Sequence, residues 1–191
     1  MYRVMLVDDE EGIGKALRRL LATTPCVYHG VTYQLQVEIF TSSLKALERA
    51  RHQAFELFLV DYRMPEMDGV RLLTEIKEIQ PGAARMILSG YADLNALVGA
   101  INEAKIYRFL AKPWNDYELV SAIAEALAYR DLLVEGERLA DEARVAKGTM
   151  SAEDGERKRL EQLEPGITQV KWGPDGSVIL DDEFQLPDDY A

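Results

Sequence analysis

Cysteine is nearly absent from this 191-residue sequence. Cys26 is the single one, which excludes an internal disulfide and fits a reducing compartment. Long apolar runs are missing too, and none approaches the roughly 18 residues needed to cross a bilayer. The opening Met1-Tyr2-Arg3 leads into a short strand-like run and lacks the apolar core and cleavage site of a secretory leader. A soluble, cytoplasmic protein with no membrane partner is the expectation. Basic charge is also scarce. The formal net charge is −11, and residues 131–191, with 16 acids and 7 bases, hold −9 of it. A segment that acidic repels a phosphate backbone, so the composition predicts no nucleic-acid partner.

What is present is ordinary globular material. The apolar fraction of 48% excludes wholesale disorder, and the length allows one full domain plus an appendage. Five strand-like runs, Arg3–Val7, Gln34–Phe40, Leu57–Val60, Arg85–Leu88 and Ile106–Leu110, alternate with helical patterns. The first helix carries Ile13, Leu17, Leu20 and Leu21 as one stripe. Others are expected over Ser43–Arg51, with Leu44 and Leu47 inward, over Val70–Ile79 and over Leu94–Ala104. Such alternation predicts an α/β fold, a doubly wound five-stranded parallel sheet with helices on both faces. The stretch Thr24–Tyr33 reads as a somewhat long first crossover loop.

The last helix starts near Asn115 or Asp116 and finds no proline until well past Lys147. It therefore projects beyond the domain, and a partner helix is the expected cover for its apolar residues. Ser151-Ala152-Glu153-Asp154 resembles a capping box opening a short helix to Leu163. Ile167–Trp172 and Ser177–Leu180 flank Gly173-Pro174-Asp175-Gly176 and read as a β-hairpin. The predicted division is residues 1–130 as one domain and 131–191 as an acidic association or docking module.

Four strand-ending motifs carry the chemistry: Val7-Asp8-Asp9-Glu10, Leu59-Val60-Asp61-Tyr62-Arg63-Met64-Pro65, Ile87-Leu88-Ser89-Gly90 and Phe109-Leu110-Ala111-Lys112-Pro113. In a parallel sheet, polar residues at strand ends collect at the carboxyl edge, where open α/β folds bind ligands. Asp8, Asp9 and Asp61 could each be a simple helix cap or a solvated acid. Three carboxylates at one edge, however, cost several kcal/mol unless a cation neutralises them. Oxygen ligands of this kind suit Mg²⁺. Lys112 and the Ser89 hydroxyl then face a phosphoryl group carried on Asp61. Pro113 permits a cis bond that would aim the ammonium inward. His29 and His52 lack ligand spacing, Gly12-x-Gly14 is too short for a dinucleotide fingerprint, and Trp114 reads as a packing residue.

Together these motifs resemble the receiver domain of two-component response regulators, a flavodoxin-like fold, over residues 1 to about 130. The resemblance implies Asp61 as phosphoacceptor, and Asp9, Asp61 and the Arg63 backbone carbonyl as direct Mg²⁺ ligands, with Asp8 acting through water. It implies Lys112 as the charge-compensating lysine and Ser89 and Phe109 as switch residues. Phenylalanine at 109, where tyrosine is common in the family, forgoes a hydroxyl contact. A histidine kinase or phosphotransfer protein is the implied donor, and a homodimer through the C-terminal extension is the expected output. The competing reading is a metal-dependent phosphatase or phosphotransferase using Asp61 as a turnover nucleophile. Arg63 occupies the place where such phosphatases carry a second aspartate, which counts against an enzyme.

Overall fold

The computed structural model describes residues 1–90 and 104–168. Its frame is a parallel sheet of β1 (Tyr2–Val7), β4 (Leu35–Phe40), β5 (Leu57–Asp61), β6 (Ala84–Gly90) and β7 (Arg108–Lys112) in the order β4-β1-β5-β6-β7. Side chains alternate between faces along each strand, which gives the sheet two cores. Val4, Leu6, Leu57, Leu59, Met86 and Leu88 pack on one side against α1 (Glu11–Thr23) and α4 (Asp116–Ala146). Met5, Val7, Phe58, Val60 and Ile87 pack on the other against α2 (Ser43–His52) and α3 (Gly69–Ile79). The expected doubly wound sheet is present, and β7 starts two residues later than the apolar run suggested and reaches Lys112. The helix expected over 94–104 falls almost wholly outside the described residues, as does most of the hairpin expected after Ile167.

Two sequence expectations need correction. Thr24–Tyr33 is no plain loop: β2 (Cys26–Tyr28) and β3 (Val31–Tyr33) pair antiparallel, joined by His29 and Gly30, both at positive φ. Two consecutive residues with φ above zero make a type I′ turn, whose twist suits a tight hairpin. Cys26 and Tyr33 face inward while Val27 and Thr32 face water, and the Cys26 thiol donates to the Val120 carbonyl at 3.9 Å. Burial pushes that thiol up to about 11. The second correction concerns α2, where Leu44 is exposed and Ser43, Ala46, Leu47 and Ala50 form the buried stripe at i, i+3, i+4 and i+7.

Two buried polar side chains, Gln80 and Arg85, are matched by main-chain groups of neighbouring segments. The Gln80 amide donates to the carbonyls of Ala50 (2.6 Å) and Gln53 (2.7 Å) and accepts from the Phe55 N–H (2.8 Å). One side chain thereby fixes the end of α2 against the start of β5. Arg85, also buried, donates to the carbonyls of Ala104, Gln80 and Pro81. Gly14 serves packing: a Cβ there would stand 2.6 Å from Ile39 Cγ2.

The long helix α4 begins at the Asn115 cap, whose side chain accepts from the Glu118 N–H. Leu119, Val120, Ile123 and Leu127 bury its first half, and at the base of the sheet the Tyr2 hydroxyl donates to Asp131 at 2.6 Å. That hydrogen bond to a carboxylate, with burial, raises the Tyr2 phenol to about 12. Beyond it α4 continues to Ala146 and turns at Gly148, φ +70. The short helix α5 (Ala152–Leu163) then runs back, its Ser151 cap accepting from the Asp154 N–H at 3.0 Å. Lys158 pairs with Asp141 at 2.6 Å, and Gly155 lies against Val145. Part of the cover expected from a partner helix therefore comes from the same chain. Val134 lies against Gly82, and Pro165-Gly166 returns to the Arg51 carbonyl.

Gln80→Ala would remove the side-chain partner of three main-chain groups, two of them buried and the Gln53 carbonyl half-buried. A loss of about 3 kcal/mol in urea unfolding is expected, at roughly 1 kcal/mol or more per orphaned group; a loss under about 0.5 kcal/mol would contradict the assigned role.

Candidate functional site

Parallel register brings the four motifs to one edge. Val7 pairs with Val60, Asp61 with Leu88, Ser89 with Ala111 and Gly90 with Lys112. The residues that end or follow these strands are therefore neighbours, although 104 residues separate Asp8 from Lys112. Asp8 is 2% exposed, Asp61 6% and Ser89 2%. The Lys112 ammonium donates to Asp8 Oδ2 at 2.7 Å and is ion-paired with Asp61 Oδ1. The Lys112–Pro113 peptide is cis.

Each carboxylate is further held by main chain. The Glu10 N–H donates to Asp8 Oδ1 at 3.0 Å, and the Arg63 N–H to Asp61 Oδ2 at 2.8 Å. Burial raises the Asp61 acid above its ordinary range, with Asp8 adding to it, against the opposing pull of Lys112 and the Arg63 N–H. Burial alone would lower the Lys112 ammonium, but hydrogen bonds and charges from Asp61 and Asp8 hold it above its usual value. Burial thus drives the first shift and opposes the second. Two acids stand desolvated at a site that a single ammonium neutralises only in part.

The loop after Asp61 is shaped by a glycine. A Cβ on Gly69 would stand 2.2 Å from the Asp61 carbonyl oxygen, so only glycine lets α3 start against the end of β5. The Gly69 N–H donates to the Tyr62 carbonyl, and the Asp68 side chain accepts from the Arg71 N–H. Glu66 anchors the loop from its outer side, accepting from the Ser42 hydroxyl (2.7 Å), the Ser43 hydroxyl (3.3 Å) and the Leu44 N–H (3.4 Å) at the start of α2. The Ser42 hydrogen bond, with help from Leu44, keeps the Glu66 acid below its ordinary value. The motif Met64–Gly69 pointed to this loop, but the positioning roles of Glu66 and Gly69 depend on elements far away in the chain.

Placement of the remaining expected residues is mixed. Asp9 is exposed, and among the described residues no three metal-ligating side chains converge. The expected meeting of three carboxylates is thus two buried acids bridged by Lys112, with Asp9 at the rim. Asp8 and Asp61 each already accept at both oxygens, from the Glu10 N–H, the Arg63 N–H and Lys112, while Asp9 is exposed; acids gathered at this edge are an oxygen-donor set of the chemistry that suits Mg²⁺, an ion that takes one or two protein carboxylates and keeps its waters. The Ser89 hydroxyl donates to the Gly90 carbonyl at 3.1 Å. Phe109, half-buried on β7, packs beside the α2–α3 core. Trp114 packs against the other core. His29 lies in the β2–β3 turn and His52 beside Glu48, on different elements.

A family model described as the response regulator receiver domain matches residues 4–124. The hydrogenase transcriptional regulatory protein HoxA of Bradyrhizobium diazoefficiens is 32% identical over 166 residues, covering 87% of this chain and 31% of that protein. The transcriptional regulatory protein ZraR of Escherichia coli K12 is 32% identical over 126 residues, 66% of this chain and 26% of that protein. The chain thus spans under a third of the length of these relatives. The signal receiver domain of an HD domain-containing protein from Pseudomonas fluorescens Pf-5 superposes with a TM-score of 0.62 at 32% identity, covering 70% of this chain and 92% of that one. A CheY-like receiver domain from Methanospirillum hungatei JF-1 gives 0.60 at 26% identity, over 69% and 97%.

A raised Asp61 acid means that the ionised carboxylate weakens the metal-free fold at neutral pH. Asp61→Asn is therefore expected to melt higher than wild type in chelator at pH 7. Added Mg²⁺ should narrow that gap by stabilising only the wild type. Calorimetry showing a lower melting temperature for the variant in chelator would contradict this.

Proposed function

Because the chain belongs to the response regulator receiver domain family, we propose that Asp61 accepts a phosphoryl group from a histidine kinase or phosphotransfer protein in a two-component phosphorelay. The observation that carries this is the buried Asp8–Lys112–Asp61 bridge at the carboxyl edge of the sheet. The Asp61 carboxylate is the nucleophile: its oxygen forms the new bond to phosphorus as the phosphorus–nitrogen bond of the donor phosphohistidine breaks. Asp9, Asp61 and the Arg63 backbone carbonyl would hold Mg²⁺ directly, with Asp8 acting through water. Bound there, the ion supplies charge neutralisation for the phosphoryl oxygens. Lys112, already between the two acids, compensates the added charge of about −1.5 to −2.

Ser89 and Phe109 form the switch in this reading. The Ser89 hydroxyl turns from the Gly90 carbonyl to a phosphoryl oxygen, and Phe109 moves into the space it leaves. One modification then biases a two-state element on β7. Strand β7 leads within a few residues into α4, which connects the phosphoacceptor unit, residues 1–130, to the association or docking module, residues 131–191. We place the output in protein contacts, chiefly self-association, because the −9 charge of residues 131–191 disfavours DNA. Asp61 acts as an acceptor and not as a turnover enzyme. The setting proposed is cytoplasmic; among the described residues no helix is long and apolar enough to cross a membrane.

Incubation with acetyl phosphate and Mg²⁺ is expected to add the mass of one phosphoryl group to wild type and none to Asp61→Asn. Labelling of the variant at wild-type level would exclude Asp61 as acceptor. Asp9→Ala is expected to abolish Mg²⁺-dependent phosphorylation, while Asp8→Ala, lacking only a water-mediated contact, weakens it less. Equal Mg²⁺ affinities for both variants and wild type, read from Trp114 fluorescence, would overturn the ligand assignment.

A further inference from the structure

One face of α4 is occupied along its whole length. Leu119, Ile123 and Leu127 contact the receiver, Val134 lies against Gly82, and Asp141 and Val145 meet α5. These residues fall within a narrow sector of a 3.6-residue helix. The opposite sector, from the point where α4 leaves the sheet, carries Tyr129, Leu132, Gly136, Leu139, Ala143 and Ala146. Their spacing is 3, 4, 3, 4 and 3, two and a half heptads of an a/d seam. All six are exposed: Tyr129 is 48% accessible, Leu132 70% and Leu139 51%, and a Cβ on Gly136 would meet nothing within 4 Å.

The order of sizes selects the occupant. Pairing this seam with itself antiparallel sets Tyr129 against Ala146, Leu132 against Ala143 and Gly136 against Leu139, and then the same pairs in reverse. Every large side chain faces a small one, which fills a helix interface without voids. A parallel pairing would stack Leu on Leu and Gly on Gly, so that leucines hold the helices apart and leave gaps at the glycine layer. Leu133 and Ala140 flank the antiparallel seam and add apolar surface. Glu135 and Glu142 would face each other on the far flank, but Arg138 lies between them on the same helix and is ion-paired with both. Exposed charge pairs are in any case worth little against core packing. Length fits as well. Ala146, the last helical residue, meets Tyr129, beyond which α4 is committed to the receiver.

We propose that a second copy of this chain occupies the Tyr129–Ala146 face of α4, with the two helices antiparallel and centred between Gly136 and Leu139. The proposal rests on the self-association reading above and adds its surface and polarity. The α5 hairpin, on the other side of α4, stays clear of the partner.

Site-directed disulfide formation in the full chain tests it, in a Cys26→Ala background. Leu132→Cys and Ala143→Cys chains, one carrying a tag, are mixed and oxidised. The expected product is the heterologous cross-link, with no Leu132→Cys homodimer. In the antiparallel pairing the two 132 positions stand 11 residues apart, ~16 Å along the axis, too far for a disulfide. Leu139→Glu, at an exposed site and folded by circular dichroism, is expected to weaken association at least 100-fold by light scattering. A Leu132→Cys homodimer would overturn the antiparallel seam in favour of a parallel one. A wild type that associates while neither pair cross-links would place association on another surface, again overturning the seam. A wild type monomeric at tens of micromolar, with and without phosphorylation, would overturn both the seam and the self-association reading.

Discussion

The ammonium of Lys112 between Asp8 and Asp61 is the interaction on which the rest depends. Two carboxylates buried at one sheet edge repel each other and lose hydration, and a single cation offsets that only in part. The site consequently gains from further positive charge. Its geometry needs three strands in register, because Asp8 directly follows β1 and Asp61 and Lys112 end β5 and β7, with β6 carrying Ser89 between the last two.

Register in turn depends on features remote from the site. The period-two alternation of β1 and β5 commits both faces of the sheet to separate cores, so a slip of one residue would exchange them. Gly69 lets α3 approach the carbonyl of Asp61 itself, and Gln80 ties the other end of β5 to α2. Strand β5 is thus fixed at both ends, once by the absence of a side chain and once by the hydrogen bonds of one.

The same sheet sets the path of α4. Its first half is buried by the core and its exit is marked by the Tyr2–Asp131 hydrogen bond, after which, among the described residues, Gly82 at Val134 and the α5 contacts cover it. The helix begins four residues after Lys112 and, at 1.5 Å per residue, ends about 20 Å past the sheet, so one continuous element runs from beside the site to a distant surface.

Strand-ending polar residues are legible without coordinates, since apolar runs broken by Asp8, Asp61, Ser89 and Lys112 have one sensible arrangement in a parallel sheet. The alternation of strands and helices, the α1 stripe and the great length of α4 were legible from local patterns, and the Ser151 cap from its capping-box sequence. The β2–β3 hairpin was missed because its turn signal, His29-Gly30, is weak without knowing that α4 would bury Cys26 and Tyr33. Leu44 was misplaced because a ten-residue helix can be rotated by one position without violating its pattern. Sequence by itself determined the sheet, the acid and the lysine, because strand ends and helix stripes are short-range properties. Only the tertiary structure decided that Asp9 stays at the rim, that Glu66 holds the loop to α2, and which face of α4 remains wet. Those outcomes depend on contacts between residues far apart in the chain, and no local pattern encodes such a distance.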